Sequence, residues 1–134
     1  MTIALPITAT VAAICGLLLL YTAIATVRQR FKLKAAFGDQ GDAGLISASR
    51  SHGNLAEHAP IVLIMLGLLE MAEANATLLM VLGAVFVVAR VAHIIGLHQP
   101  SVPGKAPLAR QLGVIATWIV MLVLAVLLLL GVFA

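Results

Sequence analysis

Four apolar runs, three of them close to the length that crosses a bilayer, divide this chain of 134 residues. A hydrocarbon core of about 30 Å takes roughly 20 helical residues. The runs cover about Ile3–Val27, a second stretch that ends at Met71, Asn75–Leu97 and Leu108–Ala134. Lipid offers no partner to a backbone N–H or C=O, so a spanning segment must be a helix or belong to a closed barrel. Four short runs cannot close a barrel. The sequence therefore predicts an all-α integral membrane protein, a four-transmembrane-helix bundle forming a single domain over residues 1–134. Composition points the same way. The chain is 63% hydrophobic and 10% charged, with a mean hydropathy of +1.16, whereas soluble domains carry about 25% charged residues.

The first run reads as a span and not as a signal peptide, because it lacks a basic leading segment and is too long. The second run is anomalous. Its continuous apolar part, Ile61–Met71, is too short to span by itself. The helix must start upstream, between Gly44 and Arg50, and carry the polar stretch "SRSHGNLAEHAP", Ser49 to Pro60, inside it. Pro60 lacks an N–H and clashes with the carbonyl of Ala56, which predicts a bend there.

The formal net charge of +3 does not indicate nucleic acid, because the basic residues lie between spans and not on a soluble face. They set orientation instead. Arg28, Arg30, Lys32, Lys34 and Arg50 belong to the first connection, Arg90 lies near the end of span three, and Lys105 and Arg110 flank the third connection. The second connection, "EMAEAN", has Glu70 and Glu73 and no cation. The positive-inside rule then places the first and third connections in the cytoplasm and both termini on the non-cytoplasmic side. The first connection is a basic segment followed by a Gly/Asp turn; anchoring at anionic membrane lipids and ligand binding are both open to it. "QPSVPGKAP" predicts an irregular linker. No internal repeat or low-complexity tract occurs.

On a helix, Arg50, Asn54 and Glu57 recur at spacings of four and three and form one stripe, with His58 beside it. Arg90, His93 and Leu97 form a second stripe on span three, with Gly96 alongside. An ionisable residue at Arg90's depth faces the bundle interior or a wet cavity. Glu57, the acidic residue on the cytoplasmic half of a span, is its expected partner. Gluing helices together by interhelical hydrogen bonds is the competing role for any one of these side chains. The set as a whole suits a small zwitterion: arginine forks carboxylates, a glutamate pairs an ammonium, and an asparagine reads a peptide group. No metal site is expected. His52 and His58 are six apart and His93 and His98 five apart, neither of which puts two imidazoles on one helical face. No Ser/His/Asp set, phosphate-cradling glycine loop or CxxC pair is present, and Cys15 inside the first run reads as a packing residue.

The segment "RSHGNLAEHAP" resembles the second-helix signature of the MAPEG superfamily, the membrane-associated proteins in eicosanoid and glutathione metabolism. That signature reads approximately R-x-x-x-N-x-x-E-x-x-P. Arg50, Asn54, Glu57 and Pro60 match it in register. The similarity extends over the whole chain, through four spans, a basic first loop and an A-R-x-x-H segment at Ala89 to His93, and is nearest to the small bacterial members. The resemblance implies a homotrimer whose catalytic relatives bind glutathione, as co-substrate, in a cytoplasm-facing cleft between neighbouring subunits. Carried onto this sequence, it implies that Arg30, Arg50, Asn54 and Glu57 bind glutathione. His58 and His93 stand where leukotriene-synthase-like members have glutathione-contacting tyrosines and are further candidates for binding it, and Leu97 replaces another tyrosine. Arg90 matches a structural or ligand-facing arginine. Eicosanoid-making members also place an arginine just before an A-P-L segment. Here Gly104 takes that place, with Lys105 next and Arg110 beyond.

The function implied is a membrane glutathione S-transferase or peroxidase of detoxification, in a bacterial inner membrane. Lys105, Arg110 and Arg90 are the candidates for holding the thiolate, and a lipophilic electrophile or hydroperoxide is the second substrate. The alternative is a non-catalytic glutathione- or lipid-binding scaffold, which the missing arginine and tyrosines favour. A plain structural bundle would respond to loss of Arg50, Asn54 or Glu57 in stability alone.

Overall fold

The computed structural model describes residues 2–100 and 104–133. Four helices follow in chain order: α1 (Pro6–Leu33), α2 (Ala43–Met71), α3 (Ala76–His98) and α4 (Leu108–Phe133). All four are long and apolar enough to cross a membrane, α2 the least apolar and α4 the most. Among the described residues the Gln99–Pro107 linker is only partly visible, because its residues 101–103 lie outside them, as does the Ala134 end expected for span four.

Helix boundaries follow local chemistry. Pro6 opens α1, where its missing N–H costs nothing. α1 continues beyond the expected Val27 through Arg28, Arg30 and Lys32, because cations are good helix formers and favour a helix C-terminus. Lys34 then adopts the left-handed conformation (φ 53) and ends it. α2 starts at Ala43, just ahead of the predicted window, because the Asp42 side chain accepts from Leu45 N at 2.8 Å. Asn75 caps α3 in the same way, accepting from Leu78 N at 2.9 Å. α2 runs without interruption across Pro60.

The N-terminus of α1 has no cap from its own sequence, since Leu5 offers none. Glu70, near the end of α2, supplies one: its two carboxylate oxygens accept from Ile7 N at 2.8 Å and Thr8 N at 2.7 Å. This ties the two helices together at one end of the bundle.

α3 packs most extensively on α4, and α1 on α2; α2 also meets α3 and α4, and α1 meets α3. Leu55, Val62 and Leu66 of α2, Leu79 and Phe86 of α3, and Val120 and Leu124 of α4 form the centre of the core, with Val11 and Cys15 of α1 against them. Cys15 is a buried packing residue. The outer surface is studded with exposed Leu17, Leu20, Leu122 and Leu130, as a lipid-facing surface requires. Lipid tails are as apolar as these side chains, so close packing and interhelical hydrogen bonds hold such a bundle. Two glycines make the α3–α4 approach possible. A Cβ on Gly113 would lie 2.6 Å from Ala89 O and 2.8 Å from His93 N, and one on Gly96 would lie 2.7 Å from Arg110 Cα.

Candidate functional site

At the end of the bundle opposite Glu70, α2, α3, α4 and the α1–α2 turn enclose a cavity of about 840 Å³. α2 contributes Arg50, Asn54, Glu57 and His58, and α3 contributes Arg90, His93 and Leu97. The two stripes read from helical spacing thus turn toward one space. Arg30 from α1 and Arg110 from α4 join them. Lys105 does not; it is exposed in the linker before α4 and stands outside the cavity wall. Gly104 ahead of it has φ 82, a backbone conformation suited to glycine.

The four arginines divide into two kinds. Arg90 is buried, at 2% exposure, and its guanidinium is held on both sides. Nη1 donates to Asn54 Oδ1 and Nη2 to Gly113 O at 3.0 Å. Its guanidinium carbon also lies 5.9 Å from the centre of the Phe86 ring. The expected Arg90–Glu57 ion pair is therefore not the one formed. Burying a carboxylate beside the guanidinium would desolvate a second ion, whereas an amide and a carbonyl satisfy the cation with only one charge buried. Gly113 makes this possible, because only a residue without a side chain lets its carbonyl approach α3 so closely. Arg30 is engaged as well: Nη1 donates toward the carbonyls of Ala35, Ala36 and Gly38 at 3.5, 3.3 and 3.1 Å, pinning the turn over the cavity.

Arg50 and Arg110 differ from these. Both are exposed to the cavity, and neither side chain has a hydrogen-bond partner among the described residues. Glu57 is likewise exposed to it and makes no bond to Arg90. His58 uses Nδ1 on Asn54 O at 2.8 Å, which leaves Nε2 for the cavity. His93 is 4% exposed, and its Nδ1 finds no partner; nor does Arg90 Nε. Both atoms are shut off from the cavity as well as unpaired, so each is a cost borne by the wall and not a contact for a guest. His52 and His98 are engaged elsewhere, with Thr22 Oγ1 at 3.1 Å and Ile94 O at 2.9 Å.

Several lining residues escape the stripe reading. Asp39 and Gly38 reach the cavity from the turn, where Asp39 also accepts from Gly41 N at 3.1 Å. On α4, Arg110, Val114 and Trp118 lie at successive spacings of four. They make a ladder from a cation, through a β-branched side chain, to an indole that is 60% exposed. That spacing is visible in the sequence, but nothing there says which face of an almost wholly apolar helix points inward. The cavity therefore offers cations at one end and an apolar ramp at the other.

A family model described as the MAPEG family matches residues 8–130. The chain belongs to the MAPEG family. Two relatives, each called "Inner membrane protein YecN", come from Escherichia coli strain K12 and from Escherichia coli O6:H1 strain CFT073. Each is 31% identical over 118 residues, which cover 88% of this chain and 86% of the relative. No solved structure matches the chain. MAPEG membership carries a membrane setting and, in general terms, glutathione-related function. In this MAPEG chain the residues of the second-helix signature, Arg50, Asn54 and Glu57, stand in one wall, facing His93 and Arg110 within the same chain.

Proposed function

We propose that the chain is a membrane glutathione S-transferase that binds glutathione in the cavity and directs its thiolate at lipophilic electrophiles. One observation carries the reading: the cavity gathers four arginines against two carboxylates, Asp39 and Glu57, and leaves Arg50 and Arg110 without partners of their own. Two surplus positive charges match glutathione as its thiolate, which has two carboxylates, one ammonium and one sulfur anion. Arg50 would fork a carboxylate, Glu57 would pair the ammonium, and Arg90 would hold Asn54 in place for the peptide groups. Arg110 replaces Lys105 as the preferred partner of the thiolate, because it reaches the cavity and Lys105 does not. A neighbouring cation favours the charged form of a thiol whose ordinary pKa is about 8.5.

In the reaction, the thiol proton leaves to water. The thiolate lone pair forms a bond to the electrophilic carbon, and the leaving group departs with its bonding pair. With a hydroperoxide, two glutathiones are oxidised to the disulfide while the peroxide is reduced to an alcohol and water. The Val114–Trp118 ramp would admit either substrate from the bilayer. A homotrimer in an inner membrane, with termini on the non-cytoplasmic side, belongs to the same reading. The family resemblance supports the trimer, the YecN relatives support the inner membrane, and the cation-rich first and third connections support the orientation.

Calorimetric titration with glutathione, together with ultraviolet thiolate absorbance and turnover of chlorodinitrobenzene, tests the proposal. Binding with thiolate formation and turnover is the expected result; absence of binding would overturn it. Binding without turnover would select a scaffold, a reading favoured by Gly104 standing where the family's thiolate arginine is expected.

A further inference from the structure

The last two turns of α1 carry a second concavity, which shares Arg30 with the site described above and otherwise lies outside it. Val27, Arg30, Phe31 and Lys34 fall at spacings of three and four and so share one helix face. With Ala35 and Ala36, where the chain folds back after Lys34, they line a hollow of about 400 Å³. Ala35 is fixed there by its N–H on Arg30 O at 3.0 Å. The walls are apolar apart from two cations, and no carboxylate contributes. Phe31 is 80% exposed. Arg30 uses only Nη1 on the turn carbonyls, so its remaining N–H groups have no acceptor among the described residues.

Depth gives this arrangement meaning. A span that enters the hydrocarbon near Pro6 leaves it after roughly 20 residues, close to Val27. Seven further residues at 1.5 Å each carry Lys34 about 10 Å beyond, across the headgroup layer. The hollow thus begins at acyl depth with Val27 and reaches headgroup depth with Arg30, Phe31 and Lys34. We propose that it binds one anionic phospholipid, its phosphate between Arg30 and Lys34, its glycerol backbone against Phe31 and the upper part of an acyl chain on Val27. Charge complementarity and the two-level wall select a lipid over a wholly apolar or wholly ionic guest. Arg28 and Lys32 belong to the same basic segment but do not line the hollow, so they add only a diffuse field. The proposal does not depend on glutathione chemistry.

The test uses the detergent-purified full chain and native mass spectrometry, with dioleoylphosphatidylglycerol, dioleoylphosphatidylcholine and free glycerol phosphate as probes. The expected order is phosphatidylglycerol retained about tenfold more tightly than phosphatidylcholine, and glycerol phosphate retained weakly. Lys34→Ala should weaken phosphatidylglycerol about fivefold, Lys34→Arg should keep it, and Lys32→Ala should change it less than about twofold. Lys34 is exposed and ends its helix, so removing its charge leaves the core intact. Equal losses from Lys32→Ala and Lys34→Ala would show a diffuse field and overturn the site. So would equal retention of phosphatidylcholine, which marks an apolar patch only. Strong binding of glycerol phosphate would reassign it to a soluble anion. A change of oligomeric mass with unchanged lipid occupancy would reassign the face to a second copy of the chain.

Discussion

The two ends of the bundle treat their polar groups in opposite ways. At one end Glu70 gives each carboxylate oxygen to a backbone N–H of α1, and Asn75 caps its own helix. Backbone donors and side-chain acceptors pair there, with only the buried Thr8 Oγ1 left without a partner among the described residues, and the result is a latch. At the other end, four arginines stand against two carboxylates, and a cavity of about 840 Å³ opens among them. Arg90 is consumed by Asn54 and Gly113, and Arg30 gives Nη1 to the turn carbonyls; Arg50 and Arg110 have no such partners. Charge within a membrane protein is therefore a poor guide to a binding site until partners are counted. The surplus, and not the presence, of polar groups distinguishes the end that can receive a ligand.

That contrast can be broken by mutation. The largest stability loss is expected where a buried charge loses its partner. Asn54→Leu should cost about 2–3 kcal/mol in detergent unfolding, because it strands Arg90; a loss near zero would mean that Arg90 is wet. Gly113→Ala comes next, at about 2 kcal/mol, because the added Cβ meets backbone of α3 that cannot step aside. Its melting curve should fall even though the substitution is chemically mild. Glu70→Gln keeps one acceptor and loses the charge at the α1 N-terminus, for about 1 kcal/mol. It should leave any glutathione titration unchanged, since Glu70 lies at the far end. Thr22→Val removes the bond to His52 and should cost about 0.6 kcal/mol, the usual worth of such a bond in lipid. Smallest in stability, within about 0.5 kcal/mol, are Arg50→Ala and Arg110→Ala. These two should instead weaken glutathione about tenfold or more by calorimetry, and Arg110→Ala should also abolish thiolate absorbance. If they destabilise the fold and spare the ligand, the two ends are alike after all.

Much of the site was legible before any coordinates. Arg50, Asn54, Glu57 and His58 had to share a helix, because Ile61–Met71 cannot cross a membrane unaided. Their stripe and that of Arg90, His93 and Leu97 do meet at one cavity. The Arg90–Glu57 pair was misread because spacing orders residues along a helix but does not give the depth at which two helices cross. Asn54, not Glu57, lies where Arg90 ends. Lys105 and Arg110 are both cations near the start of α4, and nothing in their order says that only one reaches the cavity. Trp118 and Val114 were hidden in a helix so uniformly apolar that no inward face stands out.

The one-dimensional chain determined how many of its segments are apolar and long enough to cross a bilayer, that each is helical, and which one carries the ionisable groups. Those follow from transfer free energy and from the backbone's demand for partners, both of which are local. Tertiary structure decided which cations are occupied and which remain available. That depends on a carbonyl of α4 reaching Arg90 across a glycine contact, and on a turn folding back under Arg30. Availability is a property of what lies within 3 Å in space, and sequence distance does not encode it.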